Sequence, residues 1–183
     1  MKNVVYIILL FNLIFVSCVK DIDFDQIDDI EIYTDHNASL IYSTLDVSDF
    51  LDDFGNETLF LSDTTRIPIF IGSYTENYLI QADFNYKITN TFNRTVIFQY
   101  EFLDENNNSI YSFQPIHITP NSIDSEFTQT IVEVDIPSVL ITNKIVVKIL
   151  MDSGVLPLDL SQNYLFNFQS AVILHYKVTV DDE

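Results

Sequence analysis

The feature that most constrains the fold is a strict alternation along residues 78–89. Tyr78, Ile80, Ala82, Phe84, Tyr86 and Ile88 fall on one side of an extended chain, and Leu79, Gln81, Asp83, Asn85, Lys87 and Thr89 on the other. A period of two is that of a half-buried β-strand, and it assigns Phe84 to a core and Asn85 to an exposed face. Val96, Phe98, Tyr100 and Phe102 repeat the pattern at once, across a short Thr91-Phe92-Asn93 connection. Residues 109–119, after the polar turn Asp104-Glu105-Asn106-Asn107-Asn108, read as a third strand, and the three together as a meander.

Further strands are expected at 39–47, 66–72, 126–136, 144–151 and 163–180, the last with Phe166, Phe168, Val172, Leu174, Tyr176, Val178 and Val180 on one side and His175 on the other. Composition supports this. The chain has 15 Phe and 10 Tyr but only 3 Gly, and it is rich in Ile, Val and Thr, which suit a pleated surface. Helix is expected only as short turns, one capped by Ser48 and stopped at Gly55, and one started by Pro137. The expected fold class is all-β: one antiparallel sandwich of seven or eight strands, immunoglobulin-like, with a small barrel or jelly roll as the alternative. The Cys…Trp…Cys signature of immunoglobulin domains is absent, for the chain has no Trp.

The N-terminus has a different character. A basic start, Met1-Lys2-Asn3, precedes an apolar run from Val4 to Phe15, with Asn12 the one interruption. That run is signal-peptide length and short of the roughly 20 residues a membrane-spanning helix needs. It ends at Phe15-Val16-Ser17-Cys18, and Cys18 is the only cysteine. The segment resembles the lipobox of bacterial lipoproteins, with Phe15 where Leu is commonest. The resemblance implies removal of residues 1–17, thioether lipidation of Cys18 and a membrane anchor through the N-terminal lipid. An exported domain without disulfides must be held by its core alone. Cleavage leaves 166 residues, enough for one domain with a sizeable core. Stable anchoring takes two or three acyl chains, since one binds only marginally.

Directly after Cys18, Lys20 is followed by Asp21, Asp23 and Asp25. Lys followed by acids resembles the surface-export signal of Bacteroidota lipoproteins, and it implies an outer-membrane protein displayed on the cell surface; Ile22 interrupts the acidic run. The alternative is a solvated acidic linker that charge repulsion keeps extended. Residues 18–36 are accordingly expected to be an acidic tether and 37–183 the sandwich. Asp21, Asp23, Asp25 and Asp29 match the first half of a calcium-binding EF-hand loop, but Gln26 replaces the required Gly and Ile32 the bidentate Glu, so no calcium site is expected.

The search for chemistry yields little. His36, His117 and His175 lack a second ligand at metal spacing, and neither a nucleophile elbow nor a phosphate loop is present. No metal, cofactor or catalytic group is expected. A formal charge of −19, about −20 without Lys2, argues against nucleic acid and against lying flat on an anionic bilayer. Tyr33, Tyr42, Tyr74 and Tyr111 are candidates for a sugar-stacking platform, against the commoner role of half-buried sheet tyrosine. Asp63-Thr64-Thr65 resembles the O-glycosylation acceptor of exported Bacteroidota proteins; it implies modification at Thr64, in an expected loop. The functional expectation is a non-enzymatic surface module binding a protein or a glycan. A structural accessory of an outer-membrane uptake or secretion assembly stands second, and a hydrolase is remote.

Overall fold

Nine strands stack into two sheets in a computed structural model that describes residues 30–179. The strands are β1 (Glu31–Asp46), β2 (Phe60–Arg66), β3 (Leu79–Asn90), β4 (Val96–Leu103), β5 (Ser109–Ser112), β6 (Ile116–Ile118), β7 (Ser122–Ile131), β8 (Lys144–Met151) and β9 (Leu165–Thr179). One sheet has the order β1-β9-β3-β7. The other runs β2-β8-β4-β5, with β6 also paired to β4. The all-β antiparallel sandwich expected from the alternation is what the chain forms. Its strand order is the jelly-roll alternative rather than the immunoglobulin one, because β1 to β4 alternate between the sheets, as do β7 to β9, and only β5 and β6 stay in one sheet with the strand before them, β4.

That topology corrects the expected meander. β3 and β4 do not pair; they belong to opposite sheets. Alternation tells inside from outside, and both strands do face the core, but it cannot tell which sheet supplies the neighbour. The crossover is held by Asn90, which is fully buried. Its amide nitrogen donates to the Arg94 and Thr119 carbonyls at 2.9 and 3.1 Å, and its Oδ1 accepts from the Phe92 N–H at 3.1 Å.

Other boundaries also moved. The strand expected at 109–119 is split into β5 and β6 around Pro115, which has no N–H to give the ladder. Both pieces still pair with β4. The strand expected at 66–72 lies earlier, as β2; beyond it Ile67, whose N–H still donates to the Asn143 carbonyl at 3.1 Å, and Phe70 are buried. The first strand begins at Glu31, ahead of the tether boundary expected at residue 36. The turn expected from Ser48 is a 3-10 turn, Val47–Phe50, capped by Asp46 instead: Asp46 accepts from the Ser48 N–H at 2.7 Å, and Asp49 accepts from the Asp46 N–H at 2.8 Å. Gly55, with φ of 79°, closes a separate tight turn. The Pro137 turn forms as α2 (Ile136–Val139). The helix α1 (Ser73–Tyr78) was not expected.

In β3 the alternation holds from Ala82 to Asn90, all even positions being buried. Its first residues are out of phase: a register shift between Leu79 and Gln81 puts Leu79 in the core and leaves Tyr78 only half-buried. Between the sheets an aromatic zipper interdigitates. Phe84 lies edge-on to Phe102 and Phe113 at 5.3 and 5.2 Å, Tyr86 to Phe98 and Tyr100 at 5.4 and 5.2 Å, and Phe98 packs on Phe168 at 5.2 Å. Such pairs add about 0.5–1.5 kcal/mol each beyond burial.

One polar chain threads this core. The buried Ser170 hydroxyl accepts from the Ile41 N–H at 3.2 Å and donates to the Ile41 carbonyl at 3.3 Å. The Tyr100 hydroxyl, 2.6 Å away, therefore donates to Ser170. Burial pushes the Tyr100 phenol well above its ordinary value.

Candidate functional site

The outward face of the β1-β9-β3-β7 sheet carries the candidate site. Alternation that buries Phe168, Ser170 and Val172 turns Gln169 and Ala171 of β9 outward. Register then sets Asn85 of β3 beside Ala171 and Lys87 beside Gln169. On the other flank of β3, Thr128 of β7 sits opposite Asn85, and Glu126 opposite Lys87. Ala171 is the small residue of this array, so the surface dips over it. The hollow measures about 630 Å³ and reaches Ser39 and Tyr42 of β1. A second hollow of about 270 Å³ shares Ser39, Asn85 and Ala171 and extends the depression past Asn37 and Ile173.

The side chains around the dip can both give and accept hydrogen bonds. Thr128 donates to the Asn85 Oδ1 at 2.7 Å, which orients the Asn85 amide nitrogen away from that contact. Lys87 pairs with Asp124 at 3.0 Å. Tyr42, 70% exposed, stands at the β1 side.

Beyond the far end of the depression, a polar ribbon crosses all four strands. His175 of β9 bridges two carboxylates, Asp35 of β1 at 2.7 Å from Nδ1 and Asp83 of β3 at 2.9 Å from Nε2. Asp83 accepts further from Thr130 of β7 at 2.6 Å and from Gln81 at 3.0 Å. Both ring nitrogens face acceptor-only groups, so the ring fits as an imidazolium. Partial burial opposes that charge, but the hydrogen bonds and charges of Asp83 and Asp35 outweigh it and hold His175 above the usual histidine value. Partial burial of Asp83 is likewise outweighed by the bonds from Thr130, His175 and Gln81, and its carboxyl lies below the usual range. His175 is on the outward face, as the alternation placed it, and its role there is to tie strands together.

A narrower groove of about 510 Å³ lies where the end strands β1 and β2 face each other, with Tyr42 on its wall, Leu61, Val147 and Phe168 below, and Asp49 and Asp63 at its rim. At the end of the sandwich beyond Asp46, Arg94 and Glu57 form a bidentate pair, 2.9 Å for each contact, and Glu57 also accepts from the Leu158 N–H at 2.6 Å. The hydrogen bond and charge of Arg94 hold the Glu57 carboxyl low. A Cβ on Gly154 would come within 2.3 Å of the Arg94 guanidinium, so a larger residue there would force that side chain to shift.

The expected site residues are dispersed. Cys18, Lys20, Asp21 and Asp23 lie outside the described residues. Thr64 is in a strand, not a loop: it sits in β2 opposite Val146, exposed on an end strand. The four tyrosines do not form one platform. Tyr42 reaches the groove, whereas Tyr74 joins His36, Tyr78 and Tyr176 in a cluster around α1, 4.9 Å from Tyr176. Tyr111 packs against Phe102 and Phe113 at 5.9 and 5.5 Å as part of the core margin. Tyr33 lies exposed on β1. Asn85 and Lys87 were read as outward, but Ala171, Gln169 and Thr128 were missed as a group; the small outward residue in the aromatic-rich strand β9 was the available signal. Among the described residues no group of three or more His, Cys, Asp or Glu side chains is arranged to hold a metal ion, and no helix is long and apolar enough to cross a membrane.

No protein-family model matches the sequence. No curated protein matches it either. Solved structures of similar shape are found. A protein of Parabacteroides distasonis thought to be secreted aligns at a TM-score of 0.51 and 14% identity over 63% of this chain, which spans 37% of that protein's length. The VP2 subviral particle of infectious bursal disease virus aligns at 0.44 and 8% identity, over 81% of this chain and 33% of that one. A Clostridium thermocellum xylanase 10B structure that includes a CBM22-1 module aligns at 0.36 and 11%, over 81% and 27%. At these identities the first likeness speaks to the fold.

Proposed function

We propose that the protein is a lipid-anchored module of the cell envelope, non-enzymatic, that binds a protein or a glycan at the outward face of its β1-β9-β3-β7 sheet. The observation that carries this reading is the depression over Ala171, an elongated hollow lined by hydrogen-bonding side chains from four strands with an exposed ring at its side. Its volume falls within the range of ligand sites. The anchor is Cys18, and Lys20, Asp21 and Asp23 direct the protein to the outer surface; Thr64, exposed on β2, is open to O-glycosylation.

The binding reading is tested with labelled full-length protein and fractions of the envelope and extracellular matrix of the source cells. Saturable binding, with no bond of the bound material broken by mass spectrometry, is expected. Loss of that binding after proteinase treatment of the fraction marks a protein ligand, and loss after periodate oxidation of vicinal diols marks a glycan. No binding to any fraction rejects the reading. For the anchor, radiolabelled palmitate should enter the protein and not Cys18→Ala. Proteinase should degrade the protein on intact cells, and Ala at Lys20, Asp21 and Asp23 should protect it.

A second reading, an accessory of an outer-membrane assembly, is favoured by one feature. Phe54, Val155, Leu156 and Leu160 are 68–102% exposed on the two loops that the Arg94–Glu57 pair joins. Replacing Phe54 and Leu156 by Ser should release the protein from a co-purifying membrane complex if this reading is correct.

A further inference from the structure

We infer that the depression over Ala171 is a binding site for a linear, uncharged oligosaccharide. This rests on the binding-module reading and assigns it a ligand class. Three observations carry it. The first is shape. Two hollows, about 630 and 270 Å³, are continuous through Ser39, Asn85 and Ala171, and the second extends the first along β1 and β9 towards Asn37 and Ile173, so the site is a trough running with the strands rather than a pit. A trough accommodates several units of a chain in sequence.

The second is chemistry. Two adjacent outward rows face the ligand, Ala171-Asn85-Thr128 and Gln169-Lys87-Glu126. They are separated by two residues along each strand, about 7 Å. Asn85, Gln169 and Thr128 each donate and accept, as sugar hydroxyls do. The Ala171 methyl gives the apolar floor on which the face of a sugar ring can rest, and Tyr42 offers a ring at the β1 side.

The third is charge complementarity. The chain carries −19 overall, yet the trough is lined by one cation and one anion, Lys87 and Glu126, opposite each other in the register. Lys87 is further neutralised by Asp124 at 3.0 Å. A cationic protein would find a stronger field elsewhere on this surface, and an anionic chain would be repelled by the whole molecule. An uncharged polyhydroxylated chain is matched by what the trough holds.

The experiment is calorimetric titration of the full-length protein, purified in a detergent without a sugar headgroup, with cellohexaose, xylohexaose, mannohexaose and chitohexaose. At least one should bind saturably with a Kd of roughly 1 mM or tighter. Ala171→Leu raises the floor and should weaken that binding at least tenfold, with an unchanged urea midpoint because the new side chain points outward. Gln169→Ala, which removes hydrogen bonds and adds no bulk, should weaken it severalfold. Thr64→Val on β2 should leave it unchanged. If none of the four hexasaccharides binds, or if binding survives both Ala171→Leu and Gln169→Ala, the inference is wrong. Envelope binding abolished by proteinase and untouched by periodate would overturn the oligosaccharide while leaving a binding module; absence of envelope binding would remove both.

Discussion

The two faces of the β1-β9-β3-β7 sheet are made by alternate residues of the same strands, and they are built for opposite ends. Inward, Phe84, Tyr86, Phe166 and Phe168 are 0–3% exposed; across the sandwich Phe84 and Tyr86 meet Phe102 and Phe98 through ring edges, and Phe168 packs on Phe98 at a tilt. Outward, Asp83, Asn85 and His175 make hydrogen bonds that water can replace. Truncating an inward side chain leaves a cavity, whereas an outward substitution gives up a solvent-accessible contact at a smaller cost to the scaffold. That asymmetry lets one strand contribute both to stability and to a binding surface, residue by residue.

The comparison is most directly broken by truncating an inward ring. Phe84→Ala leaves a cavity beside Tyr100, Phe102 and Phe113 and should cost about 3–5 kcal/mol in urea unfolding. That is a large part of a typical stability of roughly 5–15 kcal/mol. Next comes the polar thread. Ser170→Ala deprives the Tyr100 hydroxyl and the Ile41 N–H of their partner inside the core, and a loss of about 1–3 kcal/mol should follow in the same measurement. A loss as small as an outward substitution would mean that water reaches this part of the core.

The outward face is sharpened by pH. His175 has a raised pKa in the folded chain, so its contribution is fully present below the ordinary value of 6.5 and is lost as pH rises through the raised folded value. Asp83 has a lowered pKa, so its contribution is present above the ordinary 3.8 and is lost as pH falls through its folded value. The stability difference between wild type and His175→Gln should therefore be greatest between about pH 4 and 6.5, up to about 1 kcal/mol for a partly exposed pair, and should shrink in alkali. A difference that stays flat with pH would remove the charge from this role. The smallest effect is expected at Asn85, where Ala forfeits the solvent-exposed bond from Thr128 and should change stability by about 0.5 kcal/mol or less. A cost near that of Phe84 would erase the distinction between the faces.

Much of the inward face was legible in the sequence, because period two is imposed by the pleat itself. Phe84 and Asn85 were correctly separated by alternation alone, as were Phe168 and His175. Tyr78 and Leu79 were exchanged, because a bulge adds one residue without leaving a compositional mark. The assignment of strands to sheets was not legible: β3 and β4 alternate identically whether they pair or face each other across a core. The candidate site was legible only as single outward residues. Its assembly depends on register between strands far apart in the chain. His175 meets Asp83 and Asp35 across 92 and 140 positions, and no local pattern carries that information.

The strand order has a kinetic consequence. β9, the last strand, lies between β1 and β3 inside its sheet, and β8 lies between β2 and β4 inside the other. Without residues 144–179, β3 can pair with β7 and β4 with β5 and β6, but β1 and β2 have no neighbour in their sheets. The two sheets therefore close through contacts between distant segments, on a timescale of roughly milliseconds to seconds. Removing β9 should thus prevent folding altogether rather than trim an edge.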